Sequence, residues 1–217
     1  MTGSESAKRE TEDANGEGPQ VLARPRPKQM RSQVRYDLIL ACAEELLMEK
    51  GAEGFKMSDL SERSGVPFGS LYQYFPDRTS VIATLAERYN HLGHRCVADE
   101  LARLDRPDVL RVALERITHD YYDMFVSHPV MLVIWEATQG DRMLQRLDAE
   151  DGKYLAGLLF DAIERVAGQG DAEERTRFCR LVIVLIAAAV RDALTMEPED
   201  AARSLARFSK MLPESPD

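Results

Sequence analysis

Residues 55–78 read FKMSDLSERSGVPFGSLYQYFPDR, and this stretch decides how the 217-residue chain folds. Two short segments with helical spacing lie on either side of Gly65, and two short helices joined by a glycine-containing turn form the helix-turn-helix pattern. Leu60 in the first segment is placed to pack against the second segment. Leu71 and Phe75, four residues apart, are placed to hold the second segment against the helix that comes before both segments. We therefore predict a helix-turn-helix whose second helix is anchored on one side.

The other side of the second helix carries side chains that suit nucleic acid. Gly69 permits close approach of the backbone to a phosphate, and the hydroxyl groups of Ser70 and of the tyrosines suit phosphate oxygens. Gln73 can offer its amide to an adenine edge, and Phe68 can contact a thymine methyl group. We predict an outward face formed by Phe68, Gly69, Ser70, Gln73 and Tyr74, with Tyr72 at its edge. The alternative is an ordinary helix pair, in which the aromatic residues of this segment belong to the core.

Helical spacing of apolar residues continues on both sides of this stretch, and no alternating strand pattern occurs. A first helix ends at Gly51, and Ser58 is suited to cap the second helix. Asp77 is suited to cap a long fourth helix that runs to about Leu104. Further helix boundaries are indicated at Pro107, Pro129, Gly140, Asp141, Gly168, Asp171, Pro198 and Pro213. The pattern predicts an all-α protein with about nine helices.

Composition and charge exclude several classes of protein. The longest uninterrupted apolar run is Leu181–Val190, which is too short for a membrane-spanning helix of ~20 residues. The polar start of the chain is not a secretory signal. Three widely spaced cysteines fit a reducing cytosol, so we expect a cytoplasmic protein. The net charge of -9 argues against a general polyanion binder, although a basic arm precedes the first helix, with Arg24, Arg26, Lys28, Arg31 and Arg35.

Residues 31–85 resemble the DNA-binding domain of the TetR (tetracycline-repressor) family of transcriptional regulators. The most specific part is GVPFGSLYQYF at residues 65–75. The resemblance implies that residues 67–74 form a recognition helix in the major groove, and that Ser58 and Arg78 contact phosphates. The predicted DNA-binding set is Arg35, Ser58, Pro67, Phe68, Gly69, Ser70, Tyr72, Gln73, Tyr74 and Arg78. The sequence departs from the family pattern at Met57, at Ser61 and at Phe68, where a polar or basic residue is common, so the base preference stays open.

A second cluster of aromatic and thioether side chains lies in the C-terminal part of the chain. Pockets for small apolar ligands are lined in this way, with a few polar groups that orient the ligand. We predict an effector site formed by Tyr122, Phe125, Met131, Trp135 and Met143, with polar groups from Glu136, Gln139 and Arg142. The alternative is ordinary core filling by methionine and aromatic residues.

The last two long helices have apolar faces that predict a dimer. One face holds Leu155, Leu158, Leu159, Ala162 and Ile163, and the next helix is apolar almost all round between Phe178 and Val190. A helix that is apolar on most sides must be buried on most sides. The family resemblance implies a four-helix bundle between two subunits, and the alternative is an internal core helix.

Catalytic and metal sites are not indicated. His91 and His94 share a helix face, but Cys96 points elsewhere and a metal needs further ligands. No nucleophile motif, phosphate-binding glycine loop or dinucleotide fingerprint occurs. We therefore expect neither an enzyme nor a bound metal or cofactor.

Three regions are predicted: a disordered arm at residues 1–28, a helix-turn-helix DNA-binding domain at 29–85, and a helical effector-binding and dimerisation domain at 86–217. The expected function is that of a ligand-responsive homodimeric regulator, most often a repressor in this family, released from a palindromic double-stranded DNA operator by a small molecule. The alternative is an all-α dimeric ligand-binding or enzyme-like protein that does not bind DNA. Burial of residues 68–74 and Arg78 against the C-terminal domain would favour that alternative.

Overall fold

The computed structural model describes residues 30–168 and 170–215, and this part of the chain contains α-helices and no strand. The nine α-helices of these residues are α1 (Met30–Gly54), α2 (Met57–Ser64), α3 (Phe68–Tyr74), α4 (Arg78–Ala102), α5 (Leu110–Ser127), α6 (Val130–Gly140), α7 (Arg142–Ala167), α8 (Ala172–Ala193) and α9 (Pro198–Ser209). A 3₁₀ turn at Pro107–Val109 precedes α5. The all-α prediction is confirmed, whereas the predicted arm at 1–28 lies outside the described residues. None of the described helices is both long and apolar enough to cross a bilayer.

The helix boundaries follow local capping chemistry, with one correction to the sequence prediction. Asp77 caps α4 as predicted, because its carboxylate accepts a hydrogen bond from the Ser80 N–H at 2.7 Å and the Ser80 side chain returns one to the cap. The prediction that Ser58 caps α2 is wrong. The helix begins at Met57, the extended cap position is Lys56, and the Ser58 hydroxyl bonds Asp59 at 3.3 Å. The apolar Met57 side chain packs against the core, which starts the helix one residue before Ser58.

The inner face of the helix-turn-helix is buried as the sequence predicts. Leu60, Leu71 and Phe75 are fully buried, and the Phe75 ring stacks on Tyr36 of α1 with the ring centroids 5.1 Å apart. Gly65 closes α2 with a φ of 65°, in the left-handed region that glycine adopts without strain. The turn and the anchoring residues therefore fix the direction of α3.

Two apolar cores lie along the length of α4. The first joins α1, α2, α3 and the beginning of α4 to α6, and it extends to the end of α8 and to Ala201 and Leu205 of α9. The second joins the end of α4 to α5, α7 and the beginning of α8. Because α1 packs against both α2 and α6, it connects the helix-turn-helix to the C-terminal part of the chain.

A buried arginine joins α7 to α8. Arg175 is only 5% exposed, and its guanidinium donates hydrogen bonds to the Glu164 carboxylate and, at 2.6 Å, to the Gly168 carbonyl. Arg175, in the first turn of α8, thus provides a hydrogen-bond donor to a carbonyl group at the end of α7. Arg177, two residues later, pairs with Glu173 and Glu174 on the exposed surface.

These two arginines offer a matched test of stability. Arg175→Ala leaves the Glu164 carboxylate and a helix-end carbonyl without their partner, and we expect a loss of about 3 kcal/mol in the free energy of unfolding. Arg177→Ala removes only exposed ion pairs and is expected to cost less than about 1 kcal/mol. Urea titration followed by circular dichroism measures both. Equal losses in the two variants would contradict this role for Arg175.

Candidate functional site

The outer face of α3 is open to solvent. Phe68 is 45% exposed and Tyr72 is 42% exposed, with their ring centroids 5.4 Å apart. Pro67, Gly69 and Gln73 are also exposed, and Ser70 is half-buried. None of this face is covered by the C-terminal helices. The alternative without DNA binding would be favoured if this face were buried against the C-terminal domain. The described residues do not show such burial.

Tyr74 does not belong to the outward face, and this part of the prediction is wrong. Its side chain is half-buried, its hydroxyl group shares a 2.9 Å hydrogen bond with the Ser32 hydroxyl of α1, and its ring meets the edge of Tyr36 at 6.2 Å. The cause is helical geometry, because Tyr74 follows the fully buried Leu71 by three residues and so lies on the same side of α3.

Basic and hydroxyl side chains are also exposed on α1, on α2 and at the start of α4. Ser58 is exposed in the first turn of α2 and Arg35 is exposed on α1. Arg78 begins α4, and its guanidinium donates a hydrogen bond to the Ala52 carbonyl at 3.0 Å, which directs it towards the end of α1. Lys56 is exposed at the cap of α2, and the sequence analysis did not single it out.

A cavity lies between α4, α5, α6 and α7. Its volume is about 80 Å³, which is small beside the ~300–1,000 Å³ of typical ligand pockets. Phe125, Met131 and Trp135 line it, as the sequence predicts. Further apolar and aromatic walls come from Ala86, Tyr89, Gly93, Val97, Tyr121, Met124, Ile134, Leu147 and Leu155.

Two of the five predicted effector residues do not line the cavity. Tyr121, and not Tyr122, faces it, because Tyr121 precedes Phe125 by four residues and the two share one side of α5. Met143 is exposed in the first turn of α7, whereas that helix reaches the cavity only from Leu147 onwards. The predicted polar groups Glu136, Gln139 and Arg142 are likewise exposed and absent from the lining.

The polar groups of the cavity come from residues that the sequence analysis left aside. His94 Nε2 lies 2.5 Å from Asp151 Oδ1, joining α4 to α7. Partial desolvation raises the pKa of the Asp148 carboxyl, and the nearby Arg191 guanidinium opposes this rise. The Arg191 guanidinium lies over the Trp135 ring, with its carbon 4.5 Å from the ring centroid. Within the described residues no three histidine, cysteine or carboxylate side chains are grouped to hold a metal ion.

A hydrogen bond connects the walls of the cavity to the start of α4. Asp141 caps α7 by accepting hydrogen bonds from the Met143 and Leu144 N–H groups. Its second carboxylate oxygen accepts a hydrogen bond from the Thr79 hydroxyl at 3.2 Å. Thr79 lies in the first turn of α4, immediately after the helix-turn-helix. A shift of α7 would therefore act directly on this turn.

The outer face of α8 carries apolar side chains without a covering helix. Leu181 is 57% exposed and Leu185 is 46% exposed, and Val184 lies beside them. The inner face, with Cys179, Val182 and Ile186, is packed in the second core.

Comparisons with known proteins agree with this architecture. Residues 39–85 match the model described as "Bacterial regulatory proteins, tetR family", and residues 108–214 match the model of the tetracyclin repressor-like C-terminal domain. The crystal structure of a putative TetR-family transcriptional regulator from Mesorhizobium loti has a TM-score of 0.62 at 14% identity, covering 84% of this chain and 96% of that one.

Curated relatives match over shorter segments. The HTH-type transcriptional regulator YvdT of Bacillus subtilis is 35% identical over 68 residues, which are 31% of this chain and 33% of that protein. The HTH-type transcriptional regulator EthR of Mycobacterium tuberculosis is 28% identical over 93 residues, 42% of this chain and 41% of that protein. The matched segments thus span well under half of these relatives. Because two models of one family match successive parts of the sequence and the fold agrees, the chain belongs to the tetR family of bacterial regulatory proteins.

Proposed function

We propose that this protein is a homodimeric transcriptional regulator that binds an operator in double-stranded DNA through α3, and that a small molecule in the cavity releases it. Residues 29–85 would bind DNA, and residues 86–217 would bind the effector and form the dimer, in the cytoplasm of the cell. The observation that carries the proposal is the exposed face of α3 on a helix whose opposite side is fully buried. A single exposed helix face of this kind fits into a major groove.

The contacts with DNA divide into base edges and phosphates. Phe68 and Gln73 on α3 would meet base edges, and Tyr72 would meet the backbone beside them. Ser58, Arg35 and Arg78 would contact phosphates, joined by Lys56 at the positive end of α2. Arg78 would contact a phosphate whether or not it keeps its hydrogen bond to the Ala52 carbonyl. Two such helices in a dimer would enter successive major grooves about 34–36 Å apart.

The exposed apolar face of α8 supports dimerisation. Leu181, Val184 and Leu185 form this face, and burying it against the same face of a second subunit would remove its apolar surface from water. Helix α7 packs along α8 and would provide the other half of each subunit's contribution. The result would be a four-helix interface with two-fold symmetry.

Release by an effector requires that the ligand bind one conformation more tightly than the other. The small volume of the cavity supports such a difference, because a ligand would have to move α6 or α7 to enter. The Thr79–Asp141 hydrogen bond and the packing of α6 on α1 would carry that movement to the helix-turn-helix. A coupling of about 1–3 kcal/mol would change operator affinity about 5–150-fold.

Two tyrosines on α3 test the assignment of its outer face. Tyr72→Phe removes an exposed hydroxyl group, and we expect weaker binding to an operator selected from random duplexes, by about two- to tenfold, with unchanged stability. Tyr74→Phe removes the hydroxyl group bonded to Ser32, and we expect a loss of about 0.5–1.5 kcal/mol in the free energy of unfolding with little effect on DNA affinity. Fluorescence anisotropy and urea titration measure the two quantities.

The opposite pattern, in which Tyr74→Phe impairs DNA binding and Tyr72→Phe impairs only stability, would contradict this assignment. A selection that enriches no duplex at all would contradict DNA binding itself and favour the alternative of a ligand-binding protein.

The dimer interface is tested by charge insertion. The double variant Leu181→Glu and Leu185→Glu places two carboxylates on the outer face of α8, and we expect sedimentation to show the 24.5 kDa chain as a monomer in place of a dimer. The matched control is Val112→Glu with Val126→Glu, since both valines are exposed on α5 and outside the proposed interface. A dimer that persists in the first variant, or dissociates equally in the control, would exclude α8 as the interface.

A further inference from the structure

A cation of the protein itself lies against one residue of the cavity wall. Arg191 reaches from α8, and its guanidinium carbon lies 4.5 Å from the centroid of the Trp135 ring. A cation within about 6 Å of an indole face is attracted by the negative potential of the ring, and tryptophan is the most effective aromatic residue for this contact. The face of Trp135 is thus used as a cation-binding surface in the ligand-free chain.

The ionisable groups that line the cavity favour positive charge. The lining contains two carboxylates, Asp148 and Asp151, both from α7, and no lysine or arginine. His94 on α4 pairs with Asp151, Tyr89 and Tyr121 are the remaining titratable groups of the wall, and α6 contributes none. An anion entering beside these carboxylates would meet repulsion in a partly desolvated space, whereas a cation would be attracted.

We propose that the cavity binds a small organic cation, such as a protonated or quaternary amine with an aromatic or apolar body, which displaces the Arg191 guanidinium from the Trp135 face and is balanced by Asp148 and Asp151. This inference rests on the proposed function in one respect, which is that the cavity is the effector site. It goes further by naming the chemistry of the ligand.

The geometry explains how a ligand larger than the free volume would fit. Arg191 comes from outside the four helices that line the cavity, so its withdrawal would open space over Trp135 without unfolding the wall. Met124 and Met131 lie in the same wall, and unbranched methionine side chains change shape easily. The freed guanidinium remains within electrostatic reach of Asp148.

Trp135 also provides a direct assay, because it is the only tryptophan of the chain. Its fluorescence is recorded on the full chain, without DNA, while three matched probes are added separately. Benzyltrimethylammonium is the cation, neopentylbenzene is its uncharged isostere, and phenylacetate is an anion with the same ring. We expect a saturable change with the cation and none with the anion, and binding of the uncharged isostere that is weaker by about tenfold or more.

Three variants separate charge from packing. Asp148 and Asp161 are both exposed carboxylates of α7, but only Asp148 lines the cavity. Asp148→Asn is expected to weaken binding of the cation about tenfold, whereas Asp161→Asn is expected to leave it unchanged. Arg191→Gln removes the competing cation, so it should strengthen binding of benzyltrimethylammonium several-fold. Urea titration of each variant confirms that it is folded.

Preference for phenylacetate, equal binding of the uncharged isostere, equal behaviour of Asp148→Asn and Asp161→Asn, or no saturable change with any probe would each overturn the inference. The assay contains no DNA, so its outcome is independent of the proposed function. If the chain binds the cation but selects no operator, the inference stands and DNA binding is refuted. If the chain selects an operator but does not bind the cation, only the inference is refuted.

Discussion

The burial of Leu71 and Phe75 against α1 is the constraint on which the rest of the structure depends. Helix α3 is only seven residues long, and a helix of this length has little stability by itself. The stacked rings of Phe75 and Tyr36 and the fully buried Leu71 hold it in place. Because these residues fix one side of α3, Phe68 and Tyr72 must project from the other. The surface proposed to read DNA is therefore a consequence of core packing.

The same core connects this surface to the cavity. Helix α1 carries Tyr36 towards α3 and also packs against α6, which provides Met131 and Trp135 to the cavity wall. The Thr79–Asp141 hydrogen bond adds a second link at the start of α4. A ligand that moves α6 or α7 therefore acts on the two helices, α1 and α4, that flank the helix-turn-helix. Tightly packed cores transmit such displacements because they have few voids to absorb them.

Much of the fold could be predicted from sequence because its signals are local. Apolar spacing, glycine at a left-handed turn and aspartate at a cap depend on neighbours along the chain, so α3 and the Asp77 cap were predicted correctly. The site was predicted less well, because it depends on which side of each helix faces a distant partner. Tyr122 was chosen in place of Tyr121 for this reason, and Asp148 and Arg191 were not recognised, since only the folded chain brings α7 and α8 to Trp135. The cap of α2 lies at Lys56, two residues before Ser58, and this shift is enough to change the role of Ser58.

The central claim is that two anchored α3 helices read DNA together. Its most direct measurement is hydroxyl-radical footprinting of the full chain on a duplex selected from a random pool, with the mass of the complex determined by sedimentation. The account predicts a partly palindromic site bound by two chains, or by pairs of dimers, with protected segments in successive major grooves about 34–36 Å apart on one face of the duplex. A single unsymmetrical protected segment bound by one chain, or uniform protection without sequence preference, would contradict it.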